Sequence, residues 1–188
     1  MSKQTPRNRR QDLLAAFAKL VNENGVRAAT LEAVAKAANV SKGGLLYHFP
    51  AKEALIEGLC ELFAQQVDED LEQMRETGYG PTKWYLHTST HFDSPLETTM
   101  SALMRLAPMN EATLRPALMA ARECWFELIA DELGDRRLAT AVVLLGDGIA
   151  YNSELEGQSG DGEFASVDMH RYLLQLVQTQ RASDVKTH

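Results

Sequence analysis

The residues with the clearest chemical meaning lie in segment 30–49, TLEAVAKAANVSKGGLLYHF. Ser41 can cap a helix, because its side-chain oxygen accepts a hydrogen bond from a free backbone N–H. A helix N-terminus attracts phosphate, and Lys42 adds a positive charge there. Inside a helix, Gly43 and Gly44 each cost about 1 kcal/mol relative to alanine. They either let a ligand such as DNA approach the backbone closely or relieve crowding at the start of a short helix.

Two short helical patterns around a tight turn position these residues. Thr30 can cap the first helix, and Asn39 and Val40 form the turn. Pro50 ends the second helix because its ring disfavours helical geometry in the preceding residue. In a helix-turn-helix, the first helix braces the second, whose N-terminal end enters the major groove. Six apolar residues form the predicted seam between the two helices: Leu31, Val34, Ala38, Val40, Leu45 and Phe49.

Three polar residues outside this seam are expected to contact phosphate. Tyr47 and His48 can donate hydrogen bonds to phosphate oxygens, and such contacts position a protein without reading sequence. Lys52 lies in the first turn of the next helix, where a cation is unfavourable unless an anion lies beside it. The competing interpretations are packing for Tyr47, a surface or core-edge position for His48 and a solvated side chain for Lys52.

The charge distribution supports a nucleic-acid contact at one end of an acidic chain. The net charge of the whole chain is −7. Residues 1–52 contain nine Lys or Arg against three Asp or Glu, a net +6, so the remainder carries −13. A basic head on an acidic body is expected when only the head meets DNA. Chance clustering of surface charge is the alternative.

Composition places the chain among compact, water-soluble proteins. Its 188 residues are 45% hydrophobic, enough for a packed core, and no apolar run approaches the roughly 20 residues needed to span a bilayer. The N-terminus lacks the apolar core of a signal peptide, so we expect a cytoplasmic protein. Cys60 and Cys124 lie in apolar helical patterns, and buried thiols are favoured over a redox pair or metal site.

Helical periodicity runs through nearly the whole chain, and alternating strand patterns are not sustained anywhere. The expected fold is all-α, with about nine helices. After the head, a long helix covers about residues 51–76 and ends at the break Gly78-Tyr79-Gly80-Pro81. Further helices are predicted near 82–92, 95–107, 114–133, 136–155 and 164–180.

Several motifs together resemble the DNA-binding domain of the TetR family of bacterial transcriptional regulators. They are TLEAVA at 30–35, VSKG at 40–43, LYHF at 46–49 and KEAL at 52–55. The segment LLYHFPAKEAL, with Asp147-Gly148-Ile149, is also similar to a multidrug-responsive subgroup that binds cationic aromatic compounds. The resemblance implies a homodimeric repressor, released by a small aromatic or cationic effector, whose two heads occupy successive major grooves of a palindromic operator. It implies no cofactor.

The resemblance also implies which residues bind DNA. Phosphate contacts would come from Thr30, Lys42, Tyr47, His48 and Lys52, with Ser41 capping the recognition helix. Lys42, Gly43 and Gly44 would lie nearest the base edges. Because the sequence Gly43-Gly44-Leu45-Leu46 leaves few side chains for base readout, Lys42, Tyr47, the second helix, residues near Arg27 and DNA shape would supply specificity.

The predicted domains are a helix-turn-helix DNA-binding domain at 7–63 and a ligand-binding and dimerisation domain at 64–180, with flexible tails at 1–6 and 181–188. In this family the second domain pairs two copies. The helices at 136–155 and 164–180 are the best candidates for pairing, and internal core is the competing interpretation. The candidate interface residues are Ala139, Val142, Val143, Gly146, Ile149, Ala150, Leu173, Leu174 and Val177.

An adaptable apolar cavity for the effector would use methionines and aromatic residues. Asp147 interrupts an apolar run and would serve as the counter-charge for a cationic ligand, because a charge among apolar residues needs a partner. Ordinary core is the competing interpretation for the others. The candidate effector-binding residues are Trp84, Phe92, Met100, Leu103, Met104, Trp125, Leu128, Asp147 and Tyr151.

Catalysis and metal binding find little support in the sequence. His87 and His91 are four residues apart and share a helix face, so a metal site is conceivable, but no HExxH motif or cysteine cluster accompanies them. A polar pocket wall or a solvated face is favoured. Nucleophile-elbow, P-loop and dinucleotide fingerprints are not found, and we expect no enzyme and no metal. An activator, or an adaptor that has lost operator binding, is the remaining alternative to a repressor.

Overall fold

The computed structural model describes residues 9–89, 94–156 and 166–185, and the regular secondary structure within these ranges is all helical. Nine α-helices and one short 3-10 helix, without a strand, confirm the predicted all-α class for the described part of the chain. The α-helices are α1 Arg9–Asn24, α2 Leu31–Ala37, α3 Lys42–His48, α4 Lys52–Glu76, α5 Pro81–Thr88, α6 Pro95–Leu106, α7 Glu111–Leu133, α8 Arg136–Glu156 and α9 Val167–Val185; the 3-10 helix is Ala107–Met109.

The chain forms two compact units that interleave along the sequence. The first contains residues 1–68 and 93–121, and the second contains 69–92 and 122–188. The predicted division at residue 63 is contiguous, whereas here α6 joins the N-terminal unit. α6 packs on α1, where Asn22 Nδ2 donates to the carbonyl of Thr98 at 2.9 Å. A sequence pattern cannot show this packing, because both helices are simply amphipathic.

In the first unit, α1 supplies the base on which the short helices rest. Leu13, Leu14, Phe17 and Val21 are fully buried at helical spacing, as the apolar stripe predicts. Gly25 then ends the helix with a φ of +82°, a left-handed conformation that favours glycine.

The end of α3 is held by an unusually close helix approach at Gly58 of α4. A Cβ on Gly58 would lie 2.8 Å from Phe49 Cε1 and 3.2 Å from Leu14 Cδ2, so only glycine fits without a shift of buried atoms. The Arg10 guanidinium lies 5.2 Å from the centroid of the Phe49 ring and pairs with Glu61 at 2.6 Å. Phe49, which ends α3, is therefore enclosed by α1 and α4.

In the second unit, α5 packs closely against α8. A Cβ on Gly146 would lie 2.4 Å from Tyr85 Cε1, so glycine is required for the tyrosine ring to cover the α8 backbone. A side chain of α7 binds a free backbone N–H at the N-terminus of α5: the Thr82 N–H donates to Glu132 Oε2 at 2.7 Å. Arg181 on α9 donates to the Glu132 carbonyl at 2.8 Å, which joins α9 to the same residue.

Several helix limits differ from the sequence prediction. α7 begins at Glu111 rather than 114, so Pro116 lies inside the helix. α9 continues to Val185, which corrects the predicted tail at 181–188 as far as that residue. Segment 181–185 contains neither Gly nor Pro, so nothing in it stops the helix. Residues 1–6 lie outside the described residues. None of the described helices is long and apolar enough to cross a membrane.

Candidate functional site

The helix-turn-helix of the first unit has both predicted caps. Thr30 Oγ1 accepts from the Ala33 N–H at 3.2 Å, and Ser41 Oγ accepts from the Gly44 N–H at 3.0 Å. Asn39 adopts a φ of 53°, a left-handed conformation that asparagine tolerates better than most residues, and this reverses the chain between α2 and α3. The local turn chemistry therefore sets the geometry of the motif.

Of the six apolar residues in the seam between α2 and α3, three are buried and three are half-buried. Val34 and Leu45 are fully buried and Phe49 is 2% exposed. The other three predicted seam residues, Leu31, Ala38 and Val40, are half-buried. Because three anchors are enclosed, the opposite face of α3 points to solvent in a fixed orientation.

The exposed face at the start of α3 is almost bare backbone. A Cβ on Gly43 would have nothing within 4 Å, so crowding does not explain this glycine. A Cβ on Gly44 would lie 3.3 Å from Ser41 Oγ, so Gly44 does relieve a close contact with its own cap. The two glycines thus have different causes, and only Gly43 leaves open space that an external surface can use.

The two ring residues of α3 flank this bare surface. Tyr47 is 84% exposed, which excludes the packing interpretation, and His48 is half-buried. Their rings meet edge to face, with centroids 5.1 Å apart. The Tyr47 hydroxyl is therefore presented to solvent on a ring that is supported from one side.

The predicted phosphate-binding lysines both have partners within the protein. Lys52 Nζ donates to the carbonyl of Val26 at 2.6 Å and so ties α4 to the turn between α1 and α2. Partial burial lowers the pKa of Lys52. Lys42 Nζ pairs with Glu32 Oε1 at 2.5 Å, and the hydrogen bond lowers the pKa of the Glu32 carboxyl. Sequence reasoning missed Glu32, although opposite charges begin the two helices of the motif.

The second unit contains a carboxylate held by two indoles. Trp84 Nε1 donates to Asp70 Oδ1 and Trp125 Nε1 donates to Asp70 Oδ2, both at 2.9 Å. Asp70 is half-buried, Trp125 is 7% exposed, and the Tyr85 ring lies 6.1 Å from Trp125 between centroids. Among the described residues, the hydrogen-bond partners of Asp70 are thus neutral. Both tryptophans are predicted effector residues.

Asp70 was not predicted as a site residue from the sequence, although its spacing from apolar residues of α4 indicates a partly buried position. It lies three residues after Val67 and four before Met74, both of which are buried in α4. A carboxylate in an apolar stripe at helical spacing must find donors, because an unpaired buried charge is costly. Which donors it finds is decided by the packing of α4, α5 and α7.

Asp147 does not have the environment that its apolar neighbours suggest. Its side chain is 45% exposed and pairs with Arg122 at 2.6 Å. Tyr85 Oη also donates to Asp147 Oδ1 at 3.2 Å. The expectation of a counter-charge waiting for a ligand is corrected, because Arg122 already supplies the positive charge.

The remaining predicted effector residues are distributed over both units. Leu103 of the first unit is fully buried, whereas Met104 on the same helix is 61% exposed. Tyr151 in the second unit is 64% exposed. Met100 and Leu128 are half-buried, and Phe92 lies outside the described residues. Within the second unit, the structure brings Trp84 and Trp125 of the predicted set together through Asp70.

The predicted dimer residues of α8 form the core of the second unit instead. Ala139 and Val142 are fully buried and Val143 and Ile149 are 3% exposed, while Gly146 lies under Tyr85. Internal core, the competing interpretation, accounts for all five. Ala150, Leu173 and Leu174 are half-buried and Val177 is 5% exposed. Large apolar residues lie exposed elsewhere on α8 and α9: Leu144, Tyr151, Leu155, Tyr172 and Leu176.

The histidines and cysteines do not assemble a metal site in the described part of the chain. No group of three His, Cys, Asp or Glu residues there could hold a metal ion. His87 is exposed on α5, and His91 is outside the described residues. Both cysteines are free thiols; burial raises the pKa of Cys60, whereas Cys124 is exposed and the buried-thiol prediction was wrong for it.

Fold and site together define a helical protein with an N-terminal helix-turn-helix. Residues 13–59 match the model of the family described as "Bacterial regulatory proteins, tetR family". The match identifies a TetR-type N-terminal domain over these residues. The match covers the head and the first part of α4, as the sequence motifs predict.

Known relatives match this chain over 75 or 76 residues and differ in what they are named for. The nucleoid occlusion factor SlmA of Aliivibrio fischeri is 35% identical over 75 residues, 38% of each chain. The transcriptional repressor KstR2 of Mycolicibacterium smegmatis is 29% identical over 76 residues, 40% of this chain and 37% of that one. The chain thus spans less than two fifths of these relatives.

The whole fold is shared with solved structures at low identity. A transcriptional regulator from Saccharomonospora viridis, solved in complex with choline, superposes with a TM-score of 0.68 and is 20% identical. The superposition covers 90% of this chain and 95% of that chain. The similarity beyond the head is therefore one of fold.

We expect Asp70→Asn to destabilise the second unit by about 1–3 kcal/mol, because the amide group turns a donor towards one of the two indole N–H groups. Thermal unfolding followed by tryptophan fluorescence and circular dichroism measures the loss. Asp147→Asn is the matched control: its ion pair is exposed and should contribute only about 0–1 kcal/mol. Equal losses in the two variants would contradict a structural difference between these carboxylates.

Proposed function

We propose that this protein is a homodimeric, ligand-responsive repressor that binds a palindromic operator in the cytoplasm. The observation that carries the proposal is the open backbone at Gly43, on a helix whose opposite face is anchored by Leu45 and Phe49. A helix-turn-helix needs both properties, since the recognition helix must be rigid and must approach the base edges closely. DNA binding by Thr30, Ser41, Lys42, Gly43, Gly44, Tyr47, His48 and Lys52 is part of this proposal.

The intramolecular contact of Lys52 refines its proposed role. Its ammonium group donates to Val26, the residue before Arg27, which the sequence places near the DNA. An ammonium has three donors, so Lys52 can keep this hydrogen bond and still offer an N–H to phosphate. In this arrangement Lys52 both positions the α1–α2 turn and contributes positive charge to the interface.

The proposed dimer uses a different face of α8 from that predicted. Leu144, Tyr151 and Leu155 are 59–66% exposed, and they recur at seven and four residues, which places them on one helix face. Tyr172 and Leu176 form a comparable pair on α9. Large apolar side chains left on the surface mark protein interfaces, and pairing of α8 and α9 with a second copy would cover them. Half-buried Leu173 and Leu174 would border this contact.

The effector is proposed to bind beside Asp70, Trp84 and Trp125. Two neutral indole N–H groups satisfy the carboxylate oxygens, and within the described residues no ion pair compensates the negative charge. An organic cation would supply the missing charge, and the tryptophan and Tyr85 rings favour a cation on their faces. Choline, bound by the structurally similar regulator, is a suitable probe. Release from DNA would follow if the effector binds better to a conformation whose head spacing no longer fits.

Gly43→Leu should lower DNA affinity by about tenfold or more, because the new side chain occupies the space between α3 and the base edges. The duplex is one enriched by the wild-type protein from a random-sequence pool, and affinity is measured by fluorescence anisotropy. Gly78→Leu is the control, because Gly78 is also exposed and has open space around it. Gly43→Ala should raise the free energy of unfolding by up to about 1 kcal/mol. Unchanged DNA binding by Gly43→Leu would refute close backbone approach.

Tyr151→Glu should convert the dimer to a monomer, because an uncompensated charge buried in an interface costs about 3–5 kcal/mol. Sedimentation velocity over a range of concentrations measures the mass. Tyr79→Glu provides the comparison, since Tyr79 is an equally exposed tyrosine, 65% against 64%, outside the proposed face. A Tyr151→Glu protein that stays dimeric would show that the subunits pair elsewhere.

Choline should raise the thermal midpoint of the wild-type protein, while its neutral carbon analogue 3,3-dimethylbutanol should not, because only the cation complements Asp70. Asp70→Asn should abolish the shift and Asp147→Asn should preserve it. Calorimetric titration of the folded variants checks binding independently of stability. A choline response retained in Asp70→Asn would place the effector site elsewhere.

A further inference from the structure

The carboxylate of Glu32 lies on the face that is proposed to bind DNA. Glu32 is the second residue of α2 and Lys42 is the first residue of α3, and their side chains meet at 2.5 Å. Both are well exposed, 62% for Glu32 and 59% for Lys42. The pair therefore joins the N-terminal ends of the two helices at the solvent surface, beside the bare backbone of Gly43.

The ion pair between Glu32 and Lys42 contributes little to folding stability. Exposed ion pairs contribute little to folding, because water screens the charges and two long side chains must be ordered. The hydrogen bond from Lys42 also lowers the pKa of the Glu32 carboxyl, so the group stays charged at neutral pH. An ionised carboxylate on a DNA-binding face repels phosphate, and for general DNA affinity the position is unfavourable.

Base recognition gives a carboxylate a specific use. In the major groove, cytosine N4 is an amino donor, and Glu and Asp accept from it. Lysine instead donates to the O6 and N7 acceptors of guanine. Glu32 and Lys42 thus carry complementary chemistry within one hydrogen bond of each other. Gly43, the residue after Lys42, leaves open space beside the pair.

We propose that Glu32 is a specificity-determining residue, which together with Lys42 selects cytosine and guanine at neighbouring positions of each operator half-site. The inference rests on the proposed DNA-binding function. Glu32 accepts from cytosine N4 where cytosine is present, and it repels the acceptor groups of guanine O6 and thymine O4 when either base takes that place. It also orients Lys42, which would otherwise bind the nearest phosphate and read no base.

The test compares sequence preference and general affinity in matched variants. Wild type, Glu32→Gln and Glu23→Gln are each used to select duplexes from a random-sequence pool. Glu23 is the control because it is also an exposed glutamate paired with a lysine, Lys19 at 3.6 Å, so its replacement removes the same charge from the same unit. Affinities are then measured for the wild-type selected duplex and for poly(dA-dT).

The wild-type and Glu23→Gln proteins should enrich the same half-sites, containing cytosine and guanine at adjacent positions. Glu32→Gln should lose the preference at the cytosine position and bind poly(dA-dT) more tightly. The ratio of specific to general affinity should fall about tenfold, as expected for loss of one base contact. Loss at the cytosine position is the diagnostic result, because an ion pair that only orients Lys42 would affect the guanine position alone.

Two results would overturn the inference. Glu32→Gln could select the same half-sites with an unchanged affinity ratio, or Glu23→Gln could show the same loss, which would assign the effect to net charge. In both cases the wild-type protein still selects a site, and the proposed function stands. If the wild-type protein enriches no sequence, the proposed DNA-binding function itself fails. Circular dichroism of each variant confirms that the comparison is between folded proteins.

Discussion

The enclosure of Phe49 is the constraint on which the DNA-facing surface depends. Gly58 allows α4 to approach to the point where a Cβ would touch the Phe49 ring, and Arg10 covers the ring from α1. Because Phe49 ends α3, this contact sets the orientation of a helix of seven residues. Such a short helix is not stable alone, and its geometry comes from tertiary packing. The recognition surface is thus held in place by packing of α3 against the longer helices α1 and α4.

The carboxylates Asp70, Asp147 and Glu32 are stabilised by different kinds of partner. In the second unit, Asp70 is half-buried and is held by two neutral indoles, so its charge is stabilised but not neutralised. Asp147 is more exposed and has an arginine partner. In the first unit, Glu32 and Lys42 form an ion pair in water that adds little to folding. The physical difference favours ligand recognition at Asp70 and surface recognition at Glu32.

Prediction from sequence succeeded where local chemistry decides the structure. Both caps of the helix-turn-helix, the left-handed turn residue and the helical stripe of α1 follow from side-chain types and spacing. It did not separate a dimer face on α8 from internal core, and Ala139 and Val142 are buried within the protomer. Hydrophobic spacing shows that a helix has an apolar face, but not whether its partner is in the same chain or another copy. For the same reason, the sequence did not show that Trp84 and Trp125 donate hydrogen bonds to Asp70.

The sequence by itself determined the helical class, the helix-turn-helix and the basic character of its segment, because these depend on periodicity, caps and charge. The TetR resemblance of residues 30–55 was likewise readable, and the family match over residues 13–59 confirms it. Tertiary structure decided which charges meet, since Lys42 lies ten residues from Glu32 and Trp125 lies 55 from Asp70. It also separated the two glycines of α3: Gly44 borders its cap, whereas Gly43 faces open space. Contacts between distant residues depend on how helices pack, and periodicity alone does not encode that packing.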